Sequence, residues 1–160
     1  MNITEHINDY YINNIFFLEP IKNTVIDNSY FIRILYSNAI FTLNGLYLNV
    51  TFNNVSLLNN NNKVKYNIKV ANNVEIINFI KQLEWDLLDK IKLEKRKIYK
   101  ITEQLQSGVI KIINNNYNSV TALDYNNYVL KISGLWETPT EYGVTYKFIN
   151  ITKKINNGCC

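Results

Sequence analysis

The sequence predicts a mainly β domain of the α+β class with one main amphipathic helix, and three observations carry that expectation. Apolar residues alternate with polar ones in several short runs, the mark of half-buried strands. One longer stretch switches to helical spacing. Of 160 residues, 47% are apolar and 13% aromatic, 12 of them Tyr, which suits a packed, pleated core and excludes a disordered chain.

Residues 1–28 are read as an N-terminal extension with no assigned element; they hold an apolar patch, Tyr10 to Leu18, closed by Glu19-Pro20. From Ser29 the period-2 pattern is clear. Tyr30, Ile32, Ile34 and Tyr36 alternate with Phe31, Arg33 and Leu35, so both faces of that strand are largely apolar. A short run, Ala39 to Leu43, leads into Asn44-Gly45, a strong two-residue hairpin signal. Beyond it Leu46, Leu48, Val50 and Phe52 point one way, and Tyr47, Asn49 and Thr51 the other. The next strand sets Val64, Tyr66, Ile68 and Val70 inward against Lys63, Lys65, Asn67 and Lys69.

At Asn72 the period changes, and a helix is expected over about residues 73–92. Ile76, Ile80, Leu83, Leu87 and Ile91 form its apolar stripe, with Asn72 as N-cap and Glu75 as its capping-box partner. Glu84, Asp86 and Asp89 are expected to flank or oppose that stripe. A basic run from Lys90 to Lys100 follows, and helical character extends to Gln106 before Gly108 stops it. Strands return at Val109 to Ile113, Tyr128 to Ser133 and Val144 to Ile151, the last two separated by a turning segment, Gly134 to Gly143, that contains Pro139. The order of strands, helix, strands makes 29–152 one β-barrel-like domain of about five to seven strands, with 153–160 a polar tail.

Composition narrows the function. Asn is the commonest residue at 28, alongside much Ile and Lys and little Ala or Arg, which follows A/T-rich codons. The runs Asn59 to Asn62 and Asn114 to Asn116 fit loops. A net charge of +4 permits a polyanionic partner without requiring one. No stretch of 18 apolar residues occurs and the first residues lack a basic leader, so an intracellular chain without a membrane span is expected. Cys159 and Cys160, at the very end, cannot frame disulfides, which agrees with a reducing compartment. The ending Gly158-Cys159-Cys160 is similar to the prenylated tails of Rab-type GTPases, but no nucleotide-binding motif accompanies it.

Catalysis finds little support. The single His6 has no Cys partner for a metal and no plausible triad around it, and no Gly-rich phosphate loop is present. A carboxylate-based hydrolase or nuclease would have to use Asp86, Asp89, Glu137 or Glu141, residues that read more simply as solvated charges. A non-catalytic binding protein that needs no cofactor and no metal is the expectation.

One positive pattern stands out. The expected strands carry Arg33, Lys63, Lys65, Lys69, Lys111, Lys131 and Lys147 and not one acid. Alternation puts most of them opposite their strand's apolar set, while Arg33 and Lys111 share a face with apolar neighbours. Tyr47 lies among the outward positions and Trp136 near a strand end. Cations that neutralise phosphates beside aromatic faces that stack bases are the elements of a single-strand binder. The competing explanation is that surface strands carry Lys to prevent edge-to-edge association.

The stretch Tyr128-Val129-Leu130-Lys131-Ile132-Ser133-Gly134-Leu135-Trp136-Glu137-Thr138, continued by Glu141 to Phe148, resembles the C-terminal hairpin of small proteins from nucleocytoplasmic large DNA viruses. Some of these are single-stranded DNA-binding proteins, and the resemblance implies an OB-like, partly closed β-barrel acting in viral DNA replication or repair. It also implies Trp136 and Tyr146 for base contact and Lys131 and Lys147 for phosphate, although periodicity places Tyr146 with Val144 and Phe148 in the core. The expected partner is therefore single-stranded nucleic acid, DNA favoured, with homo-oligomerisation open. The expected site comprises Arg33, Tyr47, Lys63, Lys65, Lys69, Lys111, Lys131, Trp136 and Lys147. The alternative is a structural or interaction protein that uses its Tyr-rich surface and Tyr10 to Leu18.

Overall fold

The computed structural model describes residues 4–60, 63–112 and 126–150, with backbone only for Asn59, Asn60, Lys63 and Val64. Within them run β1 (Glu5–His6), β2 (Ile15–Phe17), β3 (Ile21–Lys22), β4 (Tyr30–Ser37), β5 (Thr42–Leu43), β6 (Leu46–Thr51), β7 (Val55–Asn60) and β8 (Lys63–Ile68). Then come α1 (Val74–Ile91), β9 (Arg96–Ile98), α2 (Lys100–Gln106), β10 (Val109–Lys111), β11 (Asn127–Glu137) and β12 (Glu141–Asn150). The mainly β, α+β reading holds. The helices number two among the described residues, and short edge strands raise the strand count above the expected range.

Strand β11 is the axis of the larger sheet. It pairs antiparallel with β12 along its length, with β6 over its first half and with β4 over its second. β1 and β9 add parallel to β6 and β12, and β2, β3 and β5 pair with β4, so the segment set apart as an extension supplies three strands. β7, β8 and β10 form a second, antiparallel sheet. Among the described residues one parallel bridge, Ile112 to Phe148, joins the two sheets, and they do not close into a barrel.

The inner faces follow the alternation closely. Leu46, Leu48, Val50 and Phe52 are buried, as are Ile32, Ile34 and Tyr36. The core is unusually rich in Tyr: Tyr36, Tyr66, Tyr128 and Tyr142 are fully buried. Phe52 packs its ring 5.9 Å from Tyr128 and 6.0 Å from Phe148, contacts each worth about 0.5–1.5 kcal/mol beyond area burial. The Tyr142 hydroxyl donates to the Leu88 carbonyl at 3.0 Å and so fastens the sheet to α1.

Several local expectations are corrected. Asn44-Gly45 does not close a hairpin, because β5 pairs with β4 while β6 pairs with β11. Gly45 instead serves a crossover: its φ is +113°, and a Cβ there would lie 2.7 Å from the Ile132 carbonyl oxygen. The residues read as a loop from Asn59 are partly strand, since Asn59 and Asn60 end β7. α1 starts one residue later than expected, and no side chain caps it. Asn73 is the N-cap, and its amide is committed elsewhere, donating to the carbonyls of Asn53 and Lys69. Glu84 does not flank the apolar stripe; it is fully buried within it.

The β11–β12 hairpin is longer than its sequence signal, turning at Thr138-Pro139-Thr140. A bulge at Ser133 inserts one extra residue on β11, so Ile132 pairs with Tyr146 and Gly134 with Thr145. Parity therefore reverses. Tyr128, Leu130 and Ile132 point inward before the bulge and Leu135 after it. Trp136 is thereby carried to the same outer face as Lys131. Gly134 has no room for a side chain: a Cβ would come within 2.3 Å of the Ile32 carbonyl oxygen and 2.7 Å of the Phe31 ring. Gly134→Ala is expected to lower unfolding free energy by about 3 kcal/mol, readable as a lower urea midpoint with an unchanged slope.

Candidate nucleic-acid interface

The outer face of the curled sheet collects the basic strand residues. Lys131 lies directly opposite Tyr47 on β6 and directly opposite Lys147 on β12. The bridge from Ile112 to Phe148 puts Lys111 and Lys147 at matching positions one step back on each strand. Lys111 in turn opposes Lys65 across β10 and β8. One row thus runs Tyr47, Lys131, Lys147, Lys111, Lys65 over five strands. Four lysines at the usual strand spacing span about 14 Å.

Arg33 shares its face with Phe31 and Leu35, and Lys111 with Val109, as expected, and in both strands that face is the outer one. The buried sets are Ile32, Ile34 and Tyr36 in one strand and Ile110 and Ile112 in the other, so both cations face outward with the rest. Arg33 is exposed, opposes Gly134 one row over, and has no ion pair among the described residues. Lys69 falls outside the row, exposed just beyond the end of β8. The side chain of Lys63 lies outside the described residues, as do Cys159 and Cys160.

Two like-charged pairs directly opposed across strands, Lys131 with Lys147 and Lys65 with Lys111, repel and weaken a sheet. Protection of a sheet edge does not account for Lys131, because β11 is paired on both sides. Part of the cost is offset locally: the Lys131 ammonium stands 4.9 Å from the centre of the Tyr47 ring.

Trp136 occupies the other end of this face. It opposes Phe31 on β4 and Gly143 on β12, and its ring lies so close over Gly143 that a Cβ there would meet it at 2.8 Å. The Lys100 ammonium, from the start of α2, stands 5.2 Å from the Trp136 ring centre. Sequence reasoning missed Phe31 and Lys100. Lys100 belonged to the basic run, and Phe31 lies in a strand whose two faces are both largely apolar, so parity did not mark it as outer. Tyr146, by contrast, is core-side as periodicity placed it. Its hydroxyl is hydrogen-bonded to the Lys100 carbonyl and Gln104, and burial pushes its pKa up to about 12.

The longer strands take in acids that the expected strands excluded, namely Glu5, Glu137 and Glu141. Only Glu141 falls on the outer face of β4, β6, β11 and β12, and Arg96 pairs with it at 3.0 Å. Half of the basic run is engaged in such pairs, since Lys95 also meets Glu137 at 3.1 Å and Lys97 meets Asp89. Asp86 accepts from the Gln82 amide at 2.8 Å. The four carboxylates of the hydrolase reading are therefore each held by a separate partner, and no group of three or more His, Cys, Asp or Glu gathers among the described residues. No helix among them is long and apolar enough to cross a membrane. Comparison with protein-family models, with curated proteins and with solved structures gives no match.

Proposed function

We propose that this chain binds single-stranded nucleic acid with little sequence preference. Lys65, Lys111, Lys131 and Lys147 hold phosphates, Arg33 adds a fifth cation, and Tyr47 and Trp136 offer ring faces to bases. The observation that carries the reading is the row of opposed lysines on a face with no free acid among the described residues of its strands. Such a row weakens the fold when empty and is relieved when a polyanion lies along it. The likeness of the hairpin to viral single-stranded DNA-binding proteins favours DNA and adds an intracellular setting in viral replication or repair. The OB-like kinship belongs to the same proposal, supported by the order of strands, helix and strands.

The test is fluorescence anisotropy of labelled oligo-dT at two salt concentrations. Four phosphate contacts on a single strand give a log–log salt slope near −2.8, so affinity falls about fiftyfold from ~50 to ~200 mM salt. Flat anisotropy at high protein concentration defeats the proposal. For the stacking role, Tyr47→Ala is expected to weaken oligo-dT about tenfold with the salt slope preserved, and Tyr47→Phe to retain affinity. Equal loss in both variants removes the ring from the site.

A second reading, a structural or interaction protein, is favoured by one observation. Tyr11, Phe16 and Ile21 are 67%, 53% and 54% exposed on the N-terminal strands and the turn before them. Phe16 and Ile21 oppose Leu35 and Phe31, which makes an apolar flank beside Trp136. Binding to a protein through this flank persists as salt rises, where phosphate binding collapses.

A further inference from the structure

A cleft of about 670 Å³ opens where the outer face of β6 runs out, between the end of β1 and the start of α1. Its volume lies within the range of small-ligand pockets. Asn49 and Thr51 line it, and both continue the outward series that Tyr47 begins on the same strand. The cleft therefore adjoins the lysine row, beginning about 7 Å along β6 from Tyr47.

Its lining favours a flat, neutral, hydrogen-bonding group. Asn8 and Asn72 bring side-chain amides with no partner among the described residues. Asn49 donates its Nδ2 to Thr4 at 2.7 Å and keeps its Oδ1 as an acceptor. Phe79 and Ile76 add apolar surface. An amide pairs one acceptor with two donors in a rigid plane, which matches the mixed edges of nucleobases. The lining contains Glu75 and no Lys or Arg, and its electropositive elements are His6 and the uncapped start of α1. The wall is also fixed in advance. Asn73 accepts from the Asn53 amide at 2.6 Å and donates back to the Asn53 carbonyl at 2.9 Å, so β6 and α1 hold the cleft open at a set width.

We propose that this cleft takes one unstacked nucleobase, presented by the strand on the lysine row or by a free nucleotide. The proposal rests on the nucleic-acid reading for the first source alone. The experiment titrates the full chain with dAMP, with dTMP and with deoxyribose 5-phosphate, and follows backbone and Asn side-chain amide resonances. Oligonucleotide anisotropy is measured in parallel for the wild type, for Ala71→Trp, which fills the mouth of the cleft from an exposed position, and for Asn49→Ala with Asn72→Ala. Expected are shifts at Asn8, Asn49 and Asn72 with the nucleotides and not with the sugar phosphate. A loss of oligonucleotide affinity of about tenfold in either variant is expected as well, with the salt slope unchanged. Oligonucleotide binding that is identical in all three proteins, without nucleotide shifts at the cleft, overturns the cleft and leaves the lysine row standing. Nucleotide shifts at the cleft without oligonucleotide binding support a free-nucleotide site and overturn the row. Silence in both assays overturns both.

Discussion

Lys131→Glu is expected to make this protein slightly more stable and a much poorer binder. The substitution turns a repelling cross-strand pair into an attracting one with Lys147, a change worth about 0.2–1 kcal/mol in urea unfolding, of which loss of the Lys131 contact with the Tyr47 ring takes back part. It also takes one cation from the middle of the row and puts an anion where a phosphate should lie. Combined with Lys147→Glu, it should lower oligo-dT affinity at least about 100-fold at low salt and reduce the salt slope by about 1.4, the share of two single-strand phosphate contacts. The double variant keeps a like-charged pair, so its stability should return close to that of the wild type. Lys69→Glu, outside the row, is the matched control and should change affinity less than about threefold. Opposite movement of stability and binding is the signature of residues retained for a ligand and not for the fold. If the double variant binds as the wild type does, the row is not the site.

The parts of this fold that were legible in the sequence are those in which one strand face is plainly apolar. β6 is the clearest case: Leu46, Leu48, Val50 and Phe52 alternate with polar residues and all four are buried. Where both faces carry apolar residues, parity alone does not say which face is inner, and the sides of Arg33 and Lys111 were left open for that reason. The bulge at Ser133 left no mark in the sequence, yet it decides that Trp136 and Lys131 share a face. The lysine row itself was not readable, because it depends on a bridge between strands 36 residues apart, Ile112 and Phe148. Asn44-Gly45 misled for a related reason. A left-handed position next to an apolar run signals a turn, but whether the flanking strands pair with each other depends on their partners elsewhere. The pairing of the basic run from Lys90 to Lys100 was not readable, since Glu137 and Glu141, distant in sequence, engage Lys95 and Arg96 only once β9 docks on β12.

Glu84 should give the largest stability effect of any single side chain discussed here. Its carboxyl accepts from the Ile101 and Thr102 amides at 3.0 and 2.9 Å and from the Thr102 hydroxyl at 2.7 Å, so α1 caps the otherwise uncapped start of α2. Glu84→Ala strands three buried donors and opens a cavity, and should cost about 3 kcal/mol or more in urea unfolding. The pH dependence has a definite sign. Burial, the largest influence, raises the carboxyl above its ordinary 4.5. The three hydrogen bonds pull it down without overcoming burial, and Glu103 pushes it further up. The folded chain therefore holds the Glu84 proton more tightly than the unfolded chain does. The contribution of this protonation to stability is complete below the ordinary value and is lost as pH rises through the folded one. The stability advantage of the wild type over Glu84→Gln, which cannot ionise, should be greatest near pH 4 and shrink toward pH 8. An advantage that grows with pH instead would mean that the three donors outweigh burial and hold the carboxyl below its ordinary value.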